Sequence, residues 1–292
     1  MKNEVLFKKL IDRITQNERG GISCYLRRLT VAIPIILQKM KINRVMKITL
    51  FFGDKMNVIT GEVVSSSLIS FSYSEVALTA LMLKLIDAGQ LIIDIGAHFG
   101  YEALLASKLV GENGSVISFE PNPATYQIAL KNLQKPNIKL NNSAVGDYNG
   151  IAKMYNRPVT ESAFNSITSE SAEKGLINVS IVTLDSQFET SDKPVNFIKC
   201  DVEGFELEVL KGCVNILERD KPILVLEAEI PSAGKGEFKR SDEIAGFLSG
   251  FGYEGYSFDL KGENLLIDKL HTIEVGHANI LFVHKTKADL LK

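Results

Sequence analysis

From residue 91 onward, short apolar runs alternate along the chain with segments that have helical spacing. The predicted strands are Leu91–Ile95, Ser115–Phe119, Ile138–Ala144, Val195–Cys200, Ile223–Glu227, Tyr253–Ser257 and Asn279–His284. The predicted helices are Tyr101–Leu109, Ala124–Leu133, Phe205–Leu217 and Asp242–Leu248. Strands that alternate with helices indicate βαβ units. The fold class is therefore α/β, a Rossmann-like, mostly parallel sheet with helices on both faces.

The chain before this pattern has a different character. Apolar residues recur at helical spacing near the N-terminus, and a second helical stretch is predicted from Ile22 to Val45. Two β-rich runs, Lys47–Phe52 and Asn57–Thr60, flank a Gly-Asp turn and predict a hairpin. An amphipathic helix is predicted over Glu75–Ala88. We therefore expect a mainly helical N-terminal extension with a hairpin over residues 1–70, and one domain over residues 71–292.

One segment interrupts the alternation. The runs Ile151–Tyr155 and Val179–Thr183 look like strands, and the stretch 156–178 between them is rich in Ser, Thr, Glu and Asn. A connection of this length is usually functional or disordered. Two interpretations stay open, a lid that faces the acceptor and a tolerated surface insertion.

Composition narrows the functional class. The 292 residues carry a formal net charge of −2, and 45% are apolar. This is ordinary globular composition, without the basic surplus typical of nucleic-acid binders. The three cysteines, Cys24, Cys200 and Cys213, are too scattered for a zinc site or a disulfide framework. No apolar run approaches the ~20 residues that span a bilayer. We expect a cytoplasmic protein without an integral membrane segment; the oligomeric state is not indicated.

The first chemical signal follows the strand Leu91–Ile95. Asp94 ends the apolar run, and Gly96 and Gly100 follow, four residues apart, before a helix. Gly96 permits a tight turn close to a ligand, and Gly100 permits close packing of the helix. Glu120 lies 20 residues after Gly100, where an acidic residue can accept hydrogen bonds from ribose hydroxyls. These four residues together predict a nucleoside site.

The glycine spacing distinguishes between nucleoside cofactors. Dinucleotide sites favour GxGxxG, but His98 and Tyr101 occupy the second and third glycine positions. Asp94 suits the cationic sulfonium and ammonium of S-adenosylmethionine (SAM) better than a pyrophosphate. We therefore favour SAM over NAD. His98 is expected to be structural or to line the cofactor site.

A third cluster closes the fourth strand. Asp201, Glu203 and Glu206 concentrate negative charge at the edge beside the first strand, in a sheet of order 3-2-1-4-5. These carboxylates are candidates for a general base, with Glu203 preferred, then Glu206 and Asp201. The alternative is that they cap a helix start. A divalent metal is conceivable for clustered carboxylates, but no second ligand cluster is evident, so we predict none.

At these residues the sequence resembles the FkbM family of SAM-dependent methyltransferases over residues 70–284. The similar motifs are Ile93–Tyr101, Phe119–Pro123, Asn142–Asp147, Val182–Asp185, Ile198–Glu206 and Leu210–Gly212. The run Asp-Val-Glu-Gly-Phe-Glu within Ile198–Glu206 is the most specific of them. The family's first motif more often has Asn at the position of His98, and Ile or Leu at that of Cys200.

The resemblance implies a seven-stranded sheet with an antiparallel last strand and SAM across the first, second and fourth strands. It places Ser143 and Ala144 beside the adenine, and the motif positions Ala97, His98, Asn122 and Asp201 join the predicted cofactor site. It also implies O-methylation of a hydroxyl on a sugar, glycan or natural-product acceptor. A NAD-dependent oxidoreductase and a non-catalytic SAM-binding protein are the remaining alternatives.

Overall fold

The computed structural model describes residues 3–18, 43–156, 167, 175–227, 238–270 and 279–291. The helix predicted over Ile22–Val45 falls almost entirely outside these ranges. So does most of the 156–178 segment that was predicted to be a lid or a surface insertion.

The centre of the protein is a mixed sheet of eight strands. Its spatial order is β12-β11-β13-β10-β9-β3-β4-β5. The strands are β3 (Leu91–Ile95), β4 (Ser115–Phe119), β5 (Ile138–Asn141), β9 (Val195–Cys200), β10 (Ile223–Glu227), β11 (Tyr253–Lys261), β12 (Asn264–Lys269) and β13 (Asn279–His284). The five adjacent strands β5, β4, β3, β9 and β10 run parallel to one another, and β13 is antiparallel to β10. The α/β fold class and the order of the first five strands are confirmed.

The sheet has one strand more than the seven predicted. The predicted strand Tyr253–Ser257 is longer in the structure, where β11 continues to Lys261. The chain then turns at Gly262 into β12. Alternate β12 side chains, Leu265 and Ile267, pack against the core while their neighbours face solvent. The prediction missed β12 because a strand with only one packed face carries a short, weak apolar pattern.

A second, three-stranded sheet lies beside the first. It is formed by β6 (Ala144–Val145), β7 (Gly150–Tyr155) and β8 (Leu176–Val182), in the order β6-β8-β7. The predicted third strand, Ile138–Ala144, is therefore wrong in its extent. It ends at Asn141, and Ala144 pairs instead with Ile181 of the second sheet.

Helices cover both faces of the main sheet. They are α1 (Glu4–Glu18), α2 (Val63–Phe71), α3 (Val76–Leu85), α4 (Tyr101–Val110), α5 (Pro123–Asn132), α6 (Leu184–Phe188), α7 (Glu206–Lys211), α8 (Val214–Arg219), α9 (Phe238–Gly250) and a terminal 3-10 helix, Lys285–Leu291. Successive β3 residues alternate between faces, so Ile92 packs with α3 and α4 while Ile93 packs with α7 to α9. A strand buried on both faces explains the continuous apolar run at Leu91–Ile95.

Two helix predictions need correction. Helix α2 was not predicted, because its run of three serines obscures the apolar spacing; Glu62 begins it by accepting hydrogen bonds from Val64 and Ser65. The predicted helix Phe205–Leu217 is two helices, broken between Lys211 and Val214.

The predicted hairpin is present as β1 (Val45–Thr49) and β2 (Lys55–Ile59). Asn132, at the end of α5, joins it to the glycine turn. Its Nδ2 donates to the carbonyls of Asn57 and Phe99, and its Oδ1 accepts the Asn57 N–H at 2.7 Å. Leu10 of α1 shares one apolar cluster with α3. The division of the chain at residue 70 stays a prediction.

Within the described ranges, no helix taken alone has the length and apolar character needed to cross a bilayer. Helices α2 and α3 meet that test only together, and they are bent by 73°.

Candidate active site

A cavity of about 290 Å³ opens at the carboxyl ends of β3, β4 and β9. This is the edge where α/β sheets bind their ligands. The predicted site residues that line it are Gly96, Ala97, His98, Glu120, Ser143, Ala144, Asp201 and Glu203. The structure therefore brings together residues that are 107 positions apart in sequence, from Gly96 to Glu203.

The glycine turn after β3 is shaped by close approaches to other parts of the chain. A Cβ at Gly96 would stand 1.9 Å from the carbonyl oxygen of Asp201, so any side chain would push β9 away. A Cβ at Gly100 would stand 2.6 Å from Leu133 at the end of α5. The Gly96 backbone therefore lies against the loop that follows β9 as well as against the cavity. Gly100 is not among the described residues that line the cavity, and its position supports packing.

Glu120 is fixed rigidly where β4 ends. Its two carboxylate oxygens each accept a backbone N–H at 2.9 Å, from His98 and from Asn122. Burial raises the pKa of Glu120 to about 7, although both N–H groups favour its charged form. The carboxylate keeps lone pairs for further donors, as a ribose-binding group requires.

His98 adopts a left-handed backbone conformation, with φ of 48°. Asn, Asp and His are enriched at such positions, so this turn accommodates His98 at little backbone cost. Its ring stacks on Phe99, with centroids 3.9 Å apart. Burial lowers the pKa of His98, so its imidazole is neutral near pH 7.

Asp94 lies in the sheet, with 1% of its surface exposed. Neither carboxylate oxygen has a hydrogen-bond partner in the described part of the chain. Burial raises the pKa of Asp94 to about 6, while Lys199, at 3.9 Å, opposes that rise. Asp94 is not among the described residues that line the cavity, so it acts on a cation there through its charge rather than by contact.

Lys199 was not singled out from the sequence. It lies opposite Asp94 in the β3–β9 register, and its Nζ is 3.2 Å from Asp201 and donates to the Gly96 carbonyl at 3.1 Å. Burial disfavours its charge, but Asp201 and Asp94 raise the pKa of Lys199. Lys199 in turn lowers the pKa of Asp201 against the effect of burial. The only sequence signal was a lysine two residues before Asp201 in an otherwise apolar strand.

The acidic cluster divides into two groups. Asp201 and Glu203 line the cavity together with Glu227, the last residue of β10. Glu206, by contrast, is not among the described lining residues. Its Oε1 accepts the N–H groups of Val202 and Gly204 and so closes the turn after β9. This arrangement matches the capping interpretation for Glu206 and leaves Glu203 as the preferred base candidate.

Three further lining carboxylates were missed by sequence reasoning. Glu227 shares a hydrogen bond with Asp201. Burial and, to a smaller extent, this hydrogen bond raise the pKa of Glu227 to about 11. Burial also raises the pKa values of Glu75 and Glu102 to about 7. None of the three lies in a turn or glycine motif, so the sequence marked them only as charges at element ends.

Asn122 has a different place from the one predicted. Its Oδ1 accepts the N–H groups of Ala124 and Thr125, capping α5, and its Nδ2 donates to Asn156. Asn122 is not among the described residues that line the cavity. Its backbone N–H donates to Glu120 at 2.9 Å, so Asn122 positions Glu120 in the cavity.

Ligand atoms of Asp201, Glu203 and Glu227 lie within 4.8 Å of one another. Asp201 is already paired with Lys199 and bonded to Glu227. We therefore assign no metal to this group, and the absence of a metal requirement stays a prediction.

The sheet order, the glycine turn and the acid after the second strand define a class I methyltransferase fold. The profile described as "Methyltransferase FkbM domain" matches residues 94–254. The chain belongs to the FkbM methyltransferase family, and the resemblance inferred from its motifs is confirmed.

Individual relatives are more distant. Hexuronic acid methyltransferase AglP from Haloferax volcanii is 26% identical over 148 residues, which cover 50% of this chain and 59% of AglP. The FkbM methyltransferase structure from Methylobacillus flagellatus has 17% identity and a TM-score of 0.43, with 66% of this chain and 43% of that chain covered. Aeropyrum pernix fibrillarin, solved with natively bound SAM, has 16% identity, a TM-score of 0.41 and 68% coverage of both chains. This chain thus spans less than two thirds of its curated relative.

Proposed function

We propose that the protein transfers a methyl group from SAM to a hydroxyl oxygen of a sugar or glycan acceptor. The observation that carries this proposal is Glu120, which lines the cavity and is held by two backbone N–H groups, together with Asp94, a buried carboxylate of the adjacent strand β3 whose oxygens have no hydrogen-bond partner in the described part of the chain. Family membership and the name of the hexuronic acid methyltransferase relative support a methyl transfer to a sugar.

The residues fit SAM better than NAD. Glu120 can accept hydrogen bonds from ribose hydroxyls, and Asp94 offers negative charge to the cationic methionine end. Ser143 and Ala144 line the cavity beside Glu120, where the adenine would lie. Gly96, Ala97 and His98 line the same cavity, after the carboxyl end of β3. A pyrophosphate would be repelled by the carboxylates that surround Asp94.

When bound, SAM supplies a methyl group that is already activated by a positively charged sulfur. The chain must align the acceptor oxygen with that methyl group, and alignment alone can supply ~7–11 kcal/mol. Glu203, on the cavity wall, would take the hydroxyl proton as the oxygen becomes positive, which typically contributes ~10²–10⁴-fold.

The proposal is tested by incubating the full chain with methyl-labelled SAM and a panel of neutral hexosides and hexuronosides. Mass spectrometry should detect label on a sugar, and the label should survive mild alkali, which cleaves methyl esters but not ethers. Label lost in alkali would move the reaction to a carboxyl group. Absence of label from every sugar would contradict a sugar acceptor.

We further propose that the N-terminal 70 residues and the 156–178 segment shape the acceptor side of the cavity. Met56, Val64 and Leu68 from the N-terminal part line it, and so does Ile167. These apolar side chains are unsuited to the polar groups of a nucleoside. Removing residues 160–174 should therefore leave SAM affinity nearly intact and change acceptor choice or turnover; lost SAM binding in a folded variant would refute this.

A further inference from the structure

A single lysine stands among the carboxylates of the cavity. Of the described lining residues, Lys199 is the only one with a cationic side chain, against six carboxylates. It is 4% exposed, and three neighbours hold it: Asp201, Asp94 and the Gly96 carbonyl. A cationic ligand would not require a lysine here, since a lysine repels a sulfonium and an ammonium. Its presence needs a separate explanation.

We propose that Lys199 is a positioning residue that keeps the buried Asp94 and the cavity-lining Asp201 charged and oriented for a cationic ligand. This inference rests on the proposed use of SAM and assigns a role to a residue that does not itself bind it. The geometry carries the argument, because Lys199 lies opposite Asp94 in the strand register and reaches the carboxylate of Asp201 at 3.2 Å.

The electrostatic reason is the cost of burying a charge. Asp94 is fully buried, and burial favours its protonated form. A protonated Asp94 would lose its attraction for a cation. Lys199 opposes that protonation for Asp94 and reverses it for Asp201. Its bond to the Gly96 carbonyl also ties the glycine turn to β9, so the carboxylates and the turn are held by one ammonium group.

Lys199 also interacts electrostatically with other titratable groups around the cavity. The titratable groups that face Lys199 from neighbouring elements are Asp94 on β3, His98 in the glycine turn, Glu75 at the start of α3, Glu102 on α4, Glu120 after β4, Asp201 after β9 and Glu227 on β10. All but His98 are acids. Removing Lys199 therefore makes every one of these acids harder to ionise, and no other described lining residue replaces its charge.

The test is the pH dependence of SAM affinity, measured by calorimetry on the full chain. For Lys199→Met we expect SAM binding about twofold weaker at pH 7 and approaching tenfold weaker near pH 5, the effect of making Asp94, whose pKa is about 6, a tenfold weaker acid. The affinity should recover at alkaline pH, where the carboxylates ionise without help. There the variant should equal or exceed the wild type, because a repelling charge has been removed.

Two variants complete the experiment. Lys199→Arg keeps the charge and should retain the wild-type pH profile even if its affinity is lower. Lys287→Met removes another partly buried lysine, bonded to the carbonyls of Asp220 and Lys221 outside the cavity, and should leave the profile unchanged. If Lys199→Met does not fold, the profile of Lys199→Arg decides.

The inference is overturned by a pH-independent loss of affinity in Lys199→Met, by no loss near pH 5, or by a displaced profile in Lys199→Arg. Wild-type binding of SAM reports separately on the proposed function. If the wild type does not bind SAM, both the proposed function and this inference are wrong. If the wild type binds SAM and Lys199→Met binds it with the same pH profile, only the inference is wrong.

Discussion

At the residue scale, Glu120 offers the sharpest prediction. Glu120→Ala should weaken SAM binding by ~1.5–3 kcal/mol, the scale of a hydrogen bond to a charged group. Calorimetry on the folded variant measures this. Glu254→Ala, which removes a half-buried acid on β11 that is paired with Lys269 of β12, is the control and should leave SAM affinity unchanged. An unaltered affinity in Glu120→Ala would remove Glu120 from the cofactor site.

Glu203 and Glu206 should respond differently to substitution. Glu203→Gln removes a proton acceptor from the cavity wall and should lower the single-turnover rate by ~10²-fold or more with SAM affinity retained. Glu206→Ala removes the acceptor for two turn N–H groups and should cost about 0.5–2 kcal/mol of stability. Rates measured beside melting curves separate the two. A full rate in Glu203→Gln would leave the base to be sought elsewhere on the wall.

Sequence reasoning placed at the cavity those residues that one βαβ unit positions. Gly96 and Glu120 follow strands at fixed offsets and line the cavity, whereas Gly100 packs against Leu133; their part in cofactor binding stays a prediction. It could not find Lys199, Glu75 or Glu227, because their importance arises from strands and helices that are distant in sequence. It also could not separate Glu203 from Glu206. Both acids lie near the start of one predicted helix, and only the structure shows that Glu206 closes the turn after β9.

At the element scale, Asn132 connects the N-terminal hairpin with the glycine turn. Asn132→Ala should destabilise the fold by about 1–3 kcal/mol, because the buried Asn57 and Phe99 carbonyls lose a donor. Chemical denaturation measures this. Gln134→Ala, an exposed change two residues away, is the control and should stay within about 0.5 kcal/mol. Equal stabilities would show that the hairpin is held by apolar packing alone.

The strands and helices differ in how well their bounds could be predicted from the sequence. Strands β3, β4, β9, β10 and β13 have the predicted bounds, because each is a short, mostly apolar run between turns. Strand β12 and helix α2 were missed, and the predicted helix Phe205–Leu217 was not recognised as broken. Side-chain caps, which apolar periodicity does not show, begin two of these helices: Glu62 caps α2 from the adjacent turn, and Asp185 caps α8 by accepting from Asn215 and Ile216.

At the scale of the whole molecule, the buried acids make stability and binding depend on pH in opposite directions. Burial raises the pKa of Asp94 to about 6 and those of Glu75 and Glu120 to about 7. A carboxyl whose folded pKa is raised contributes most to stability below its unfolded pKa. That contribution is lost as the pH rises through the folded value.

Between about pH 5 and pH 8, the ligand-free protein should therefore lose the stability that these groups contribute. SAM affinity should rise over the same interval, because the cation binds the ionised forms and releases protons. Melting curves with and without SAM, and calorimetry in buffers of different ionisation enthalpy, check both trends. Proton uptake on binding would contradict the assignment of the buried carboxylates to a cationic ligand.

The most direct measurement of the central claim is calorimetry of the full chain with SAM, its demethylated product and NAD. The site predicts micromolar binding of SAM and of the product, and far weaker binding of NAD, because Glu120 and Asp94 match a ribose beside a cation. Tighter binding of NAD than of SAM would contradict the account.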